Sequence, residues 1–149
     1  VHSFPTRRSS DLFERARATV EGIADAADVP LVVDDDFRER ELAGEHVESF
    51  DSAVEHLWAN PTASHPGGES HAEAQERGVD AVERVVEAYP NRHVVVGTHG
   101  TLMALVFNSF DPRYGYEFWR SLSMPDVYEA TFVDGEPAGI ARTWIPDDS

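Results

Sequence analysis

One histidine of this sequence lies where a buried strand would give way to a helix. Residues 93–96 are rich in β-branched valine, residues 97–100 read Gly-Thr-His-Gly, and apolar residues resume at helical spacing from Leu102. In open α/β sheets, ligands bind at the carboxyl ends of strands, and the unpaired N–H groups of the following helix attract anions. His99 is therefore well placed to meet a phosphate, although a histidine at a strand end more often contacts only its neighbours.

Other residues with reactive side chains form weaker patterns. His65 and His71 flank a glycine-containing loop, but their spacing is neither H-x-x-x-H nor H-E-x-x-H, which favours two surface histidines over a metal site. His71 and Glu73 give the H-x-E of zinc deaminases, yet the P-C-x-x-C that those enzymes need cannot exist in a chain without cysteine. Ser70 lacks the G-x-S-x-G context of a nucleophile and is predicted to cap a helix or line a pocket.

Four segments together resemble the motif series of the histidine phosphatase superfamily, the phosphoglycerate mutase-like proteins. Residues 13–19 (F-E-R-A-R-A-T) are similar to the family's L-x-R-A-x-x-T helix start, and residues 37–40 (F-R-E-R) resemble its L-x-E segment. Residues 68–77 resemble its G-E-S-x-x-E-x-x-x-R helix, and residues 94–100 (V-V-V-G-T-H-G) resemble its V-x-S/T-H-G motif. Their order and spacing agree with the family over residues 13–145.

The resemblance implies chemistry through a phosphohistidine. Members of the family use the histidine of an R-H-G motif, at the end of the first strand, as the nucleophile that takes a phosphoryl group. By resemblance, Arg15 is a phosphate clamp, and Thr98 and Gly100 are further contacts to the substrate. His99 is then the second histidine, which stabilises the phosphoryl charge. This scheme needs no metal and no other cofactor.

The resemblance also implies a general acid that protonates the leaving oxygen. Glu39 stands in the L-x-E register and is predicted to fill this role, while Glu41 and Glu69 are its nearest rivals. Ala43 stands where the acid loop of the family usually has glycine, with Gly44 one place later.

The nucleophile of the family has no counterpart in the 149 residues, which contain no Arg-His-Gly sequence. His2 does not fit, because only twelve residues separate it from Arg15, too few for a strand and a loop. The expected function is a phosphomonoesterase that acts on a small phosphate ester through a phosphohistidine intermediate and is inactive in this form. A non-catalytic phosphate-binding pseudoenzyme and a phosphoglycerate mutase are the alternatives.

Helices and strands alternate along the sequence. Helices are expected over residues 13–27, 49–59 and 69–89, and from Leu102 onward. Short strands are expected over residues 31–33, 93–96, 127–133 and 139–144, with a turn at Asp134-Gly135 between the last two. This alternation predicts an α/β protein, and the resemblance implies three α/β/α layers around a mainly parallel sheet whose first strand is missing.

Composition narrows the class of protein. The 12 basic residues, all arginine, stand against 28 acidic ones and give a net charge of −16. Such a chain repels nucleic acid, and the absence of cysteine excludes disulfides, cysteine-bound zinc and thiol nucleophiles. No apolar run reaches the roughly 18 residues that span a bilayer, and no signal segment is present. We expect a cytoplasmic protein without a membrane partner, and acidity without lysine indicates a halophilic cytoplasm or a GC-rich genome.

The first twelve residues, VHSFPTRRSSDL, differ from the rest of the chain in charge and periodicity. They are predicted to be an unrelated leader, either a cloning or sequencing-adaptor scar or a native disordered tail. Residues 13–149 then form an incomplete histidine phosphatase domain. Its expected partner is a small phosphorylated substrate. The sequence leaves open whether the protein forms a homodimer.

Overall fold

A computed structural model describes residues 11–41, 50–65, 67–123 and 126–143. The helices are α1 (Asp11–Ala27), α2 (Phe50–Ala59), α3 (His71–Ala88), α4 (Gly100–Phe110) and α5 (Tyr116–Ser121), with a 3₁₀ turn at Asp35–Phe37. Two strands follow, β1 (Tyr128–Val133) and β2 (Glu136–Arg142). The three helices predicted with both bounds are confirmed within two residues at each end, and the helix expected from Leu102 onward begins at Gly100, while α5 was not predicted. None of the helices in these ranges is long and apolar enough to cross a membrane.

Helix α1 overlaps the last two residues of the predicted leader. It begins at Asp11, inside the twelve-residue segment, whereas residues 1–10 lie outside the described part of the chain. Ala43 and Gly44, the residues of the acid loop that depart from the family pattern, also lie outside it.

The start of α3 is fixed by a reciprocal pair of hydrogen bonds. The Ser70 hydroxyl accepts the backbone N–H of Glu73 at 3.1 Å, and the Glu73 carboxylate accepts the backbone N–H of Ser70 at 3.2 Å. This capping box satisfies two of the N–H groups that a helix start leaves open. The prediction that Ser70 caps a helix is confirmed.

The centre of the core lies between α3 and α4. Its fully buried members are Phe37, Ala74, Ala81, Leu102 and Leu105, each no more than 2% exposed. Small residues on α3 let the two helices approach closely. A Cβ atom at Gly78 would lie 2.8 Å from Val106 Cγ2, so glycine is the residue that fits at this crossing. The packing fixes α4, and with it His99, relative to the start of α3.

Of the strands predicted from the sequence, only the two C-terminal ones are observed in the described residues. β1 and β2 pair antiparallel, and Asp134 and Gly135 form the predicted turn with φ values of 53° and 82°, as a two-residue hairpin requires. Residues 31–33 and 93–96 are not strands in the described chain, because a strand exists only where a neighbour completes its hydrogen-bond ladder. Val32 and Val95 in these segments are 49% and 42% exposed. The three-layer arrangement around a mainly parallel sheet is therefore not confirmed.

Candidate functional site

His99 lies immediately before α4. It is the N-cap residue of this helix, with an extended backbone (φ −126°, ψ 156°) and only 5% exposure. Its carbonyl oxygen accepts the backbone N–H of Met103 at 3.0 Å, but its side chain does not cap the helix. The imidazole therefore lies between an extended segment and a buried helix; the helix start after His99 is as predicted, whereas the strand expected before it is not observed.

The N-terminus of α4 is capped instead by the side chain of Glu39. Its carboxylate accepts the backbone N–H of Thr101 at 3.1 Å and that of Leu102 at 2.9 Å. It also accepts the backbone N–H of Arg40 at 2.9 Å. A carboxylate thus occupies the anion-binding position that the sequence suggests for a phosphate. The predicted acid and the predicted second histidine meet at the start of one helix.

Two opposing effects set the protonation of Glu39. Withdrawal of the carboxylate from water raises its pKa, while the backbone N–H groups and the charge of Arg40 act in the opposite direction. Burial is the larger effect, and the pKa of Glu39 is raised. A general acid must hold its proton near neutral pH, so the shift is in the direction that acid catalysis requires.

The three predicted substrate contacts are positioned by different elements. The Thr98 hydroxyl donates to the carbonyl oxygen of Phe37 at 2.8 Å and so ties the segment before Glu39 to the segment before His99. Gly100 is the first residue of α4. Arg15 falls within α1, and its side chain lies outside what the structure describes. A role of these three residues in binding substrate stays a prediction.

Arg77 holds the Glu39 segment against α3. Its guanidinium forms two hydrogen bonds with the Glu69 carboxylate, at 2.7 and 3.0 Å. It also donates to the carbonyl oxygens of Asp36 at 2.8 Å and Arg38 at 2.9 Å. The Arg77 side chain is only 10% exposed, so this pair is largely shielded from water. The first and last charged residues of the G-E-S-x-x-E-x-x-x-R motif thus position the acid segment.

The same contacts distinguish Glu39 from Glu41 and Glu69, the two other candidates for the general acid. Both carboxylate oxygens of Glu69 are bound by Arg77, and the backbone N–H of Glu69 donates to the carbonyl oxygen of Glu41 at 2.7 Å. Glu41 itself is exposed. Glu39 is the carboxylate that reaches the helix beginning after His99.

The prediction that His71 is a surface histidine is wrong. His71 is 2% exposed, and its ring packs edge-on against Trp58 of α2, with centroids 5.0 Å apart. The buried positions of α3 are His71, Ala74, Gly78 and Ala81. Their helical spacing places His71 on the buried face, and this periodicity is the signal that could have revealed it. Across the described ranges, no three side chains of metal-ligating type come together.

The sequence patterns did not mark two further residues beside the site, Arg40 and Trp119. Arg40, the residue after Glu39, is 5% exposed, and burial lowers the pKa of its guanidinium. Trp119 of α5 donates its indole N–H to the Thr101 hydroxyl at 2.9 Å, next to the backbone N–H that Glu39 accepts. Arg40 stands inside the motif that pointed to Glu39, whereas no sequence pattern brings Trp119 to α4.

We expect the burial of His71 to make the protein less stable in acid. Desolvation, helped by the charge of Arg40, lowers the pKa of His71 from 6.5 to about 4. The unfolded chain therefore binds a proton between these values while the folded chain does not. The associated stabilisation is complete above pH 6.5 and is lost as the pH falls through 4, with an upper limit of about 3 kcal/mol.

Urea unfolding at a series of pH values measures this dependence. His71→Phe, which keeps a ring against Trp58 but cannot titrate, should flatten the slope between pH 6.5 and 4. The matched control is His56→Phe at an exposed position of α2, which should leave the slope as it is. An unchanged slope in His71→Phe would show that His71 takes up its proton equally readily in the folded and the unfolded chain.

Sequence comparison identifies one family. The model of the histidine phosphatase superfamily (branch 1) matches residues 2–141. Among curated protein sequences, none matches the chain significantly.

Solved structures share the fold of the chain. A structure titled mycobacterial hydrolase 1 has a TM-score of 0.58 at 21% identity, over 74% of this chain and 60% of that one. The native structure of a mycobacterial glucosyl-3-phosphoglycerate phosphatase gives 0.57 at 21% identity, over 74% and 59%. The complex of that enzyme with inorganic phosphate gives 0.60 at 21% identity, over 83% and 63%. The chain thus spans about three fifths of the length of these structures.

Proposed function

Because the chain belongs to the histidine phosphatase superfamily, we propose that it carries part of the active site of a phosphomonoesterase that acts on a small phosphate ester. Glu39 is the general acid, and His99 stabilises the charge of the transferred phosphoryl group. Arg15 and Gly100 contact the phosphate. Thr98, whose hydroxyl proton is engaged by Phe37, contributes by holding the Glu39 segment beside His99.

The observation that carries this proposal is the position of the Glu39 carboxylate. It lies at the start of the helix that follows His99, and burial raises its pKa. An acid with a raised pKa beside a buried histidine is suited to protonate an alkoxide as it leaves phosphorus. The names of the structural neighbours, a hydrolase and a phosphatase, favour hydrolysis over mutase activity.

The nucleophile of this reaction is not assigned, because the 149 residues contain no Arg-His-Gly sequence. Covalent catalysis divides the displacement into two steps, and each step needs an attacking imidazole in line with the phosphorus atom. Genomic sequence upstream of the Phe13 codon decides between the enzyme and the pseudoenzyme. An in-frame Arg-His-Gly supports the enzyme, whereas continuous reading into the leader supports a phosphate-binding protein that does not turn over.

The direct test is hydrolysis of 4-nitrophenyl phosphate by the protein made from its complete coding sequence. We expect turnover that His99→Ala lowers by about 10²–10³-fold, because a preorganised donor to the developing phosphoryl charge is lost. His93→Ala, at an exposed position six residues earlier, serves as the control and should keep wild-type activity. Absence of turnover in the wild type, or full activity in His99→Ala, would contradict the proposal.

A further inference from the structure

The start of α4, which binds the carboxylate of the proposed acid, is also contacted by α5. Trp119 of α5 donates its indole N–H to the Thr101 hydroxyl oxygen at 2.9 Å. The backbone N–H of the same threonine donates to the Glu39 carboxylate at 3.1 Å. Thr101 is 4% exposed, so water competes little for either hydrogen bond. A single residue thus connects the indole of α5 to the carboxylate of Glu39.

Thr101 lies in the turn from which Glu39 takes its position. His99 is the N-cap residue, so Gly100, Thr101 and Leu102 are the first three residues of α4. The N–H groups of this turn have no carbonyl partner within the helix. Two of them, those of Thr101 and Leu102, bind Glu39 at 3.1 and 2.9 Å. Contacts that fix this turn therefore also fix the carboxylate beside His99.

Aromatic contacts hold α5, so the indole donates from a defined position. Phe118 packs against Phe107 of α4 and Tyr128 of β1, with ring centroids 6.1 and 5.4 Å away. Tyr116 stacks on Trp119 itself, with 5.9 Å between centroids and 21° between the ring planes. Consecutive residues of a helix point about 100° apart, so Phe118 enters this aromatic cluster while Trp119 reaches the start of α4.

We propose that Trp119 is a positioning residue for the general acid, acting through the Thr101 hydroxyl on the turn that binds Glu39. The inference rests on the proposed function and adds to it a residue that acts through another side chain. An indole only donates, and the threonine hydroxyl offers it an acceptor oxygen, so this bond has one direction. It restricts the rotamer of Thr101 and ties α4 to α5 before substrate binds, which is the preorganisation that a positioned acid needs.

Trp119→Phe tests this role, because it keeps an aromatic ring in α5 and removes the indole N–H. In the protein made from its complete coding sequence, we expect kcat for an alkyl phosphate to fall about three- to tenfold, as for the loss of one hydrogen bond, with KM unchanged. An aryl phosphate with a good leaving group needs little protonation and should slow by less than about twofold. A variant that only disturbed the fold would slow both esters by the same factor.

Trp58→Phe is the matched control for this substitution. The indole N–H of Trp58 is buried but makes no hydrogen bond in the part of the chain that the structure describes. The same replacement there removes a ring of the same size without breaking such a contact. It should change kcat for either ester by less than about twofold.

Thr101 provides a second way to break the same hydrogen bond. Thr101→Val removes the acceptor instead of the donor and should reproduce the effect of Trp119→Phe on both esters. Thr101→Ser keeps a hydroxyl and should lose much less than Thr101→Val. Because the two substitutions break one contact, the double variant with Trp119→Phe and Thr101→Val should be no slower than either single variant.

A titration that needs no turnover measures the same contact. The backbone ¹⁵N–H signals of Thr101 and Leu102 report the protonation of the Glu39 carboxylate, which they bind. Burial raises the pKa of Glu39, and these two N–H groups oppose that effect. Trp119→Phe loosens them, so the midpoint of the titration should move to higher pH. In Trp58→Phe the midpoint should stay where it is in the wild type.

The two measurements separate this inference from the proposed function. An unchanged midpoint in Trp119→Phe, or an equal effect on both esters in an active Trp119→Phe enzyme, would overturn the positioning role and leave the phosphatase standing. A protein that hydrolyses no ester would contradict the proposed function. The midpoint would then still decide whether Trp119 fixes the turn that binds Glu39.

Discussion

Replacement of Glu39 by glutamine is expected to slow the hydrolysis of an alkyl phosphate by about 10²–10³-fold in the protein made from its complete coding sequence. An alkoxide is a poor leaving group and needs its proton during bond cleavage, which glutamine cannot supply. An aryl phosphate with a good leaving group needs little protonation, so the same variant should slow it less than about tenfold. This dependence on the leaving group distinguishes the loss of an acid from a general loss of structure.

The pH profile gives a second signature of the same residue. Burial raises the pKa of Glu39, so the protonated form that donates to the leaving group persists to higher pH than in an ordinary carboxyl group. Activity on the alkyl ester should fall as the pH rises through this raised pKa. In Glu39→Gln, the descending limb that belongs to Glu39 should be absent. Steady-state rates of the wild type and Glu39→Gln on both esters across the pH range measure this descending limb.

The two rival carboxylates supply the controls. Glu41→Gln changes an exposed side chain and should affect neither ester. Glu69→Gln weakens the pair with Arg77 and should slow both esters by the same factor through misplacement of the acid segment. A leaving-group dependence in Glu69→Gln, together with equal slowing of both esters in Glu39→Gln, would transfer the acid role to Glu69.

The helices could be predicted because their signals are local. Helical spacing of apolar residues marked α1 and α3, and the capping box of Ser70 and Glu73 lies within four consecutive residues. The hairpin is equally local, since the Asp134-Gly135 turn fixes the register of two strands a few residues apart. In each case, the physics that selects the element acts among residues that are neighbours in the sequence.

The parallel sheet is a different case. Residues 31–33 and 93–96 have the composition of strands, but composition gives only a preference for extended backbone. A ladder forms only when a second strand lies beside the first, and such pairing depends on distant parts of the chain. The exposure of Val32 and Val95 shows that the described residues leave these segments uncovered. A pattern in one segment cannot report whether its neighbour is in place.

The candidate site was predictable only in part, because some of its residues stand in local motifs and others are brought together by tertiary packing. Glu39 and His99 were selected because each stands in a recognisable motif, and the structure brings them together at α4. Trp58 and His71 belong to no shared pattern, because 13 residues separate them along the chain and only the packing of α2 against the start of α3 brings their rings together. Buried polar clusters of this kind are properties of tertiary structure.

Arg77→Met is expected to lower the free energy of unfolding by about 3–5 kcal/mol. The substitution keeps a long apolar stem but removes every donor that Arg77 supplies. It leaves the Glu69 carboxylate without its cation, and the carbonyl oxygens of Asp36 and Arg38 without their hydrogen bonds. Because the side chains of Arg77 and Glu69 are only 10% and 16% exposed, water compensates little of this loss. Urea unfolding followed by circular dichroism measures it.

A second arginine of α3 provides the matched control for this prediction. Arg84 pairs with Asp34 and Asp36 at 3.0 and 2.9 Å, but its side chain is 51% exposed. Arg84→Met should therefore cost less than about 1 kcal/mol, and salt should remove most of that difference. Arg77→Lys retains the charge and loses the two-pronged contact. Its cost in the free energy of unfolding should lie between those of Arg77→Met and Arg84→Met. Equal costs for Arg77→Met and Arg84→Met would mean that Arg77 acts only as a surface charge and does not hold the Glu39 segment in place.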